Sequence, residues 1–268
     1  MSRVEVVADA DELAEAAARA ALADVEAAID AYETCTWVLT GGGTPQAAYR
    51  RLARHDLRDS IEWGRLRVAM GDERCVPPRD PESNWGQAAA ALLDHVPLPE
   101  GQRLRMRGEL GAERAAEDYE AALARLPRAA PRAGATAAPR AAGPSGEQGA
   151  PAAPGPGVPR LDLIWIGVGP DGHCLSLFPG RPEVEVADRL VVPVHGAPKP
   201  PPDRVSLTLA ALAGAGRVLV LAAGPGKADA VARARAGDRS LPITRAVAAV
   251  ERAGGTVTWL LDRLAAGA

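Results

Sequence analysis

Four polar clusters in the chain carry side chains able to hold an anion and move a proton. The first is Thr40-Gly41-Gly42-Gly43-Thr44-Pro45. Glycines leave backbone N–H groups bare, and such groups at the start of a helix form an anion site. Thr40 and Thr44 add hydroxyl donors. The run has neither the GKS/T ending of a triphosphate loop nor GxGxxG spacing, and its plainer alternative is a tight strand-to-helix turn. The second cluster is Gly71-Asp72-Glu73-Arg74. Arg74 keeps its charge at any physiological pH, so it can orient a phosphate or polarise a carbonyl. A surface ion-pair cluster is the ordinary alternative. The third, Gly169-Pro170-Asp171-Gly172-His173, holds the best general base. A free imidazole has a pKa near ~6.5, so its neutral form can take a proton from water near neutrality. Asp171 can orient the ring; a histidine with only turn hydrogen bonds is the bland reading. The fourth is split between Arg204, before SLTLAAL, and Lys227, after Gly224-Pro225-Gly226. Both can bring cations to one phosphate, or stand as solvated surface charges.

The other histidines compete less well. His55 and His95 fall near the ends of predicted helices, where they suit the helix dipole. His195 lies in a Pro-rich loop and is a weaker rival. No HExxH, Cys/His ligand spacing or carboxylate cluster appears, so neither a catalytic metal nor another cofactor is expected. GxSxG is absent, which argues against Ser176 as a nucleophile. Cys174 follows His173 directly, but adjacency in sequence does not make a Cys–His dyad.

Composition narrows the partners. The net charge is −3, from 31 basic and 34 acidic residues. Neither a nucleic acid nor an anionic membrane is expected, and an anionic ligand would need a local basic pocket. Cys35, Cys75 and Cys174 are widely spaced and form no CxxC, so reduced thiols and a cytoplasmic setting are expected. The first residues carry acids instead of a basic n-region, so no signal peptide is read. No apolar run reaches the ~18 residues of a membrane span.

These motifs need elements to position them. Leu13, Ala17, Leu22 and Val25 recur at helical spacing within 10–31. Residues 35–40 read as a strand that ends in the glycine run, with Pro45 in the first turn of the next helix. Leu66–Met70 is a strand ending at the Asp-Glu-Arg cluster. Ser83-Asn84 offers a helix cap with Gln87 near the capping-box position, and another helix covers 111–126. Residues 161–168 are apolar enough for a central parallel strand. Further strands are expected at 189–194, 217–224 and 255–262, with a helix starting near Gly226-Lys227. The alternation implies an α/β fold: an open, mostly parallel twisted sheet with helices on both faces, a Rossmann-like three-layer sandwich. The motifs then sit at or near strand ends, where such sheets bind ligands. Residues 127–160 are almost all Ala, Pro, Gly and Arg. They read as a mobile surface insertion in a single domain spanning 1–268, because they cannot bury enough apolar surface to order themselves.

Taken together, the motifs resemble the 6-phosphogluconolactonase family, which is related to the glucosamine-6-phosphate deaminases/isomerases. The resemblance covers roughly 10–127 and 160–262. TGGGTP looks like the family's SGGSTP phosphate loop, and GDERCVPPRDPESN is similar to its DERxVPxxHxxSN segment. GVGPDGHCLSLFPG resembles GxGxDGHTASLFPG and is the most specific piece. RVSLTLAAL and GPGKADAV look like the family's later Arg and Lys segments. Thr40 and Gly43 stand where serines are usual, Cys174 where threonine is common, and Asp80 where histidine is often found. The deaminases typically read DEY at Asp72-Glu73-Arg74, and carry an acidic NEP segment where this chain has Leu177-Phe178-Pro179.

The resemblance implies hydrolysis of 6-phospho-D-glucono-1,5-lactone to 6-phospho-D-gluconate, in the oxidative pentose phosphate pathway, by a monomer or homodimer. Thr40, Gly41, Gly42, Gly43, Thr44, Asp72, Arg204 and Lys227 are the expected binding residues. His173 and Asp171 are expected to activate water, and Arg74 or backbone N–H groups to stabilise the oxyanion. Two alternatives stay open at this point: an amino-sugar-phosphate deaminase/isomerase, and a non-catalytic sugar-phosphate sensor on the same fold.

Overall fold

The computed structural model describes residues 2–132, 135 and 157–268. The chain begins with β1 (Arg3–Val7), α1 (Ala10–Tyr32), β2 (Cys35–Leu39), α2 (Gly43–Leu52) and the one-turn α3 (His55–Arg58). It continues through β3 (Leu66–Met70), β4 (Asp72–Arg74), α4 (Asn84–Ala91), β5 (Arg103–Leu104) and α5 (Ala112–Leu123). Then follow β6 (Leu161–Gly167), β7 (Val191–Val194), β8 (Arg204–Leu207), β9 (Ala215–Ala222) and α6 (Ala228–Arg235). The last elements are α7 (Pro242–Arg252), β10 (Thr256–Asp262) and α8 (Arg263–Ala266).

Local chemistry starts and aims these elements. The Asp9 carboxylate accepts the N–H groups of Asp11 and Glu12 at 3.0 and 2.9 Å and caps α1. Helix α1 then buries Leu13, Ala17, Ala21, Val25 and Ala28, one stripe at helical spacing. Strand β6 has six of its seven residues buried, as a strand covered on both faces requires.

Seven strands form one parallel sheet in the order β1-β10-β9-β6-β2-β3-β5, with helices on both faces. Below the strand ends, Trp37, Tyr49 and Trp165 pack together, the last two stacked at 5.2 Å. Aromatics being scarce, alanine, leucine and valine fill most of the remaining core.

The sequence does not announce the second sheet. Strands β4, β8 and β7 form a three-stranded antiparallel sheet, so the strand expected at 189–194 joins this smaller sheet, not the main one. The Asp-Glu-Arg cluster is itself a strand, not a loop after one. Gly71 makes the transition. Its N–H donates to the Leu39 carbonyl of the main sheet and its carbonyl accepts from Leu207 N–H of the small one, both at 2.9 Å. A Cβ at Gly71 would lie 2.6 Å from a methyl of Leu175 in the loop after β6, so glycine lets that side chain pack over the junction.

The two ends of the Ala/Pro-rich stretch meet. Ala129 N–H donates to Val158 O at 2.9 Å, and Arg160 N–H to Pro127 O at 2.7 Å. Residues 133–134 and 136–156, on which most of the expected insertion falls, lie outside the described residues. No described helix is long and apolar enough to cross a membrane.

Two tyrosines hold the ends of adjacent strands. The Tyr49 hydroxyl, from α2, accepts the Thr40 N–H at 3.0 Å and donates to the Thr40 carbonyl at 2.9 Å. The Tyr119 hydroxyl, from α5, does the same for Met70 at 2.8 and 2.9 Å. Thr40 and Met70 mark the points where β2 and β3 stop and the chain turns toward the cavity above them. Both rings are fully buried, and burial pushes both phenols up, so they stay protonated. Tyr49→Phe would leave the Thr40 N–H and carbonyl unmatched, costing about 1–3 kcal/mol for each group. Urea unfolding should show a lower midpoint with an unchanged slope; an unchanged midpoint would remove the clamp from the argument.

Candidate active site

The carboxyl ends of β2, β3, β6 and β9 open into one cavity of about 310 Å³. Thr40, Gly41, Gly42, Gly43, Thr44, Asp72, Arg74, His173, Arg204 and Lys227 all line it. Of the expected residues only Asp171 lies outside the lining, standing behind His173. Side chains from five separate stretches of sequence therefore meet at one place.

The glycine run forms the turn from β2 into α2. Gly42 caps the helix at φ 109°, a conformation suited to glycine. The first intrahelical bond runs from Gln46 N–H to Gly42 O at 3.2 Å. The helix thus leaves the N–H groups of Gly43 and Thr44 unused, at the positive end of its dipole. A Cβ on Gly43 would meet no atom within 4 Å, so the missing side-chain donor there reflects the residue, not the space.

His173 sits in a turn closed by Gly169 N–H to His173 O and Gly172 N–H to Gly169 O, each 2.9 Å. Gly169 admits the imidazole: a Cβ there would lie 2.0 Å from Nδ1. Nδ1 bonds to the Asp171 carboxylate, which assigns the ring proton to Nδ1 and leaves Nε2 able to accept one. The ring rests on Phe178 at 4.7 Å between centroids. Burial lowers the His173 pKa, and although Asp171 opposes this, the net shift stays downward. The imidazole is therefore neutral at pH 7. Burial works to raise Asp171, but its bonds to His173 outweigh that and hold it below the usual carboxylate range.

Four cations face this base across the cavity: Arg74, Lys199, Arg204 and Lys227, against the single carboxylate of Asp72 in the lining. Arg74 and Arg204 are direct partners in the antiparallel register of β4 and β8. Arg204 is aimed by carbonyls, donating to Lys199 O at 2.8 Å and Pro201 O at 3.0 Å. Arg74 donates to Glu82 O at 2.5 Å and has the Glu82 carboxylate at 3.6 Å. Among the described residues, no carboxylate lies within ion-pair distance of Lys199, Arg204 or Lys227. Burial lowers the pKa of Arg204, with Arg74 adding to it, and burial lowers that of Lys227, with Lys199 adding to it. These cations lack counter-charge, an arrangement suited to an anionic ligand.

Asp72 and Glu73 have different tasks. Asp72 lines the cavity, yet its carboxylate accepts from Ser176 Oγ at 2.7 Å and Asn84 Nδ2 at 3.3 Å. Glu73 is 2% exposed and accepts four donors: the N–H groups of Arg74, Asn84 and Trp85, and the Ser83 hydroxyl. It anchors the start of α4 to β4.

Sequence reasoning missed two lining residues with polar side chains. Lys199 comes from the Pro-rich loop between β7 and β8, and a lysine between prolines was its only signal. Asn84 was read only as part of a helix cap. The other histidines lie elsewhere. His195 is half exposed between Glu113, at 2.7 Å, and Asp203, at 3.0 Å, which raise its pKa. His55 begins α3 beside Asp59, and His95 bonds to Ala90 O at 2.9 Å.

Known proteins share this arrangement of elements. The family model for glucosamine-6-phosphate isomerases/6-phosphogluconolactonase matches residues 8–259. A 6-phosphogluconolactonase of Streptomyces coelicolor is 40% identical over 258 residues, 96% of this chain and 91% of that protein. That of Mycobacterium tuberculosis is 39% identical over 270 residues, 99% of this chain and 97% of that protein. The solved 6-phosphogluconolactonase structure from Trypanosoma brucei superposes with a TM-score of 0.78 at 28% identity, covering 100% of this chain and 98% of that one. With a family model spanning nearly its whole length and relatives matched end to end, the chain belongs to the glucosamine-6-phosphate isomerase/6-phosphogluconolactonase family.

Proposed function

We propose that this protein hydrolyses 6-phospho-D-glucono-1,5-lactone to 6-phospho-D-gluconate, the lactonase step of the oxidative pentose phosphate pathway. The observation that carries the reading is a neutral, carboxylate-oriented His173 in the same cavity as a bare glycine turn and four cations. A phosphate sensor needs the cations but not the base. An amino-sugar isomerase needs a further carboxylate after the histidine; here that stretch is Leu177-Phe178-Pro179, with the Phe178 ring against the imidazole.

The roles follow from the chemistry of each group. The phosphate rests on the Gly41–Thr44 turn, with hydroxyls from Thr40 and Thr44 and cations from Arg204, Lys227 and Lys199. This anchors the lactone ring at a fixed reach from His173. His173 Nε2 takes a proton from water as its oxygen attacks C1. Asp171 stabilises the resulting imidazolium. The former carbonyl oxygen becomes an oxyanion that Arg74 meets with positive charge. The C1–ring oxygen bond then breaks, and the imidazolium returns its proton to that oxygen, giving the C5 hydroxyl and a C1 carboxylic acid that ionises in water. The reaction calls for no cofactor, and we assign it to the cytoplasm and to a single α/β domain carrying the 127–160 insertion.

The direct test is hydrolysis of freshly generated lactone, coupled to 6-phosphogluconate dehydrogenase and NADP with EDTA present. Acceleration over the spontaneous rate is expected to survive EDTA. His173→Ala should lower kcat by ~10²–10⁴-fold, and near-normal turnover in that variant would remove the base assignment. Lys227→Ala should chiefly raise KM; an unchanged KM would take Lys227 out of the phosphate site.

A pH profile tests the environment of His173. Only the neutral imidazole accepts the proton, so kcat/KM falls as pH drops through its pKa. That pKa is lowered, so the acid limb should lie below the ~6.5 of a free histidine. Asp171→Asn removes the charge that raises it. The limb should then move to still lower pH while kcat falls. A limb above the free-histidine value, or an upward move in Asp171→Asn, would contradict the assignment.

A further inference from the structure

Asn84 occupies an unusual position between the two halves of the cavity. It is 2% exposed, lines the cavity, and its own N–H is held by Glu73 at 2.7 Å. Its side-chain nitrogen donates to the Asp72 carbonyl at 3.0 Å and reaches the Asp72 carboxylate at 3.3 Å. Both partners are acceptors, so the amide cannot flip without setting oxygen against oxygen. The side-chain oxygen is thereby turned the other way. It is buried, has no hydrogen-bond partner, and lies where a Cβ on Gly41 would fall, 1.9 Å from that position. Gly41 has no positive φ, so its backbone does not demand glycine; the Asn84 oxygen does.

We propose that Asn84 is the positioning residue of the anion loop: its amide props Gly41 against the Asp72 carboxylate. Asp72 in turn accepts from Ser176 Oγ at 2.7 Å, three residues beyond His173. One amide therefore links the glycine turn to the segment that bears the base. A buried oxygen without a conventional partner is costly, and its placement against the Gly41 Cα offers only a weak C–H contact in return. Such an arrangement persists where shape, not bond strength, is the use made of it. The substrate in this inference rests on the lactonase reading.

The experiment is a double-mutant cycle on Gly41→Ala and Asn84→Ala, read by lactone kinetics and by calorimetric binding of inorganic phosphate. Asn84→Ala should raise KM and the phosphate Kd by ~10-fold, with kcat within ~3-fold, since His173 and Asp171 are untouched. Gly41→Ala should lose ~100-fold or more in kcat/KM, because its methyl and the Asn84 oxygen claim one space. In the double variant that space is free, so kcat/KM should recover to within ~3-fold of Asn84→Ala alone. Multiplying losses, or an unchanged phosphate Kd in Asn84→Ala, would overturn the proposal. If Asn84→Ala does not fold, Asn84→Ser takes its place in the cycle with the same expected rescue. If the wild-type protein does not accelerate lactone loss, but its phosphate binding, weakened in Gly41→Ala, recovers in the double variant to that of Asn84→Ala alone, the lactonase reading fails and the positioning role stands. Lactone hydrolysis without rescue gives the reverse.

Discussion

The cavity depends on one buried carboxylate. Glu73 loses its hydration, and burial pushes its pKa up. Four donors at 2.7–2.9 Å compensate, three of them backbone N–H groups and two of those at the start of α4. A carboxylate at a helix start also meets the positive end of the dipole. The result is a rigid joint between a three-residue strand and a helix. Asp72 and Arg74 flank Glu73 in sequence, so they project from that joint in fixed directions. Asn84 is the first residue of the helix on its other side. Without the joint, a strand as short as β4 would depend on its ladder with β8 and on the side-chain bonds of Asp72 and Arg74.

That ladder carries a second constraint. Its register sets Arg74 opposite Arg204, and like charges directly across a strand pair repel. The fold holds them together by spending hydrogen-bond acceptors on them: carbonyls of Lys199, Pro200 and Pro201 for Arg204, and the Glu82 carbonyl for Arg74. Carbonyls aim a guanidinium without neutralising it. Arg204 stays electropositive, Arg74 has the Glu82 carboxylate at 3.6 Å, and on the Lys227 side burial, with Lys199 adding to it, lowers that lysine's preference for charge. Cations fixed side by side without neutralisation are preorganised for an anion such as a phosphate.

Much of this was legible before the structure, and the rest was not for identifiable reasons. β2, β3, β6, β9 and β10 were readable because buried parallel strands are continuous apolar runs, and the glycine motifs fall where they end. β4 and β8 were not, because strands of three and four residues are too short to establish a period, and they pair with each other across more than a hundred residues of chain. The strand at 189–194 is legible as a strand, but nothing in its sequence shows that it pairs with β8. In sequence Glu73 is only one member of the Asp-Glu-Arg cluster; its four donors include residues whose proximity only the fold creates. Lys199 sits among prolines, where neither helix nor strand spacing points its side chain anywhere. The Asn84–Gly41 contact is a matter of two ångströms, far below the resolution of a motif.

The two histidines closest to the binding question show why residue type alone does not assign a role. His173 and His195 each bond a carboxylate through Nδ1. His173 is mostly enclosed by its turn and the Phe178 ring, so desolvation dominates and favours the neutral form. His195 is half exposed, with Asp203 on one nitrogen and Glu113 on the other, so little desolvation opposes the two charges and the protonated form is favoured. A base must be free to accept a proton, and a doubly bonded imidazolium is not. One carboxylate plus burial favours the neutral imidazole; two carboxylates plus solvent favour the protonated one, held between α5 and the loop that delivers Lys199. The difference is set by the number of acceptors and the amount of water, both properties of the fold and neither of histidine.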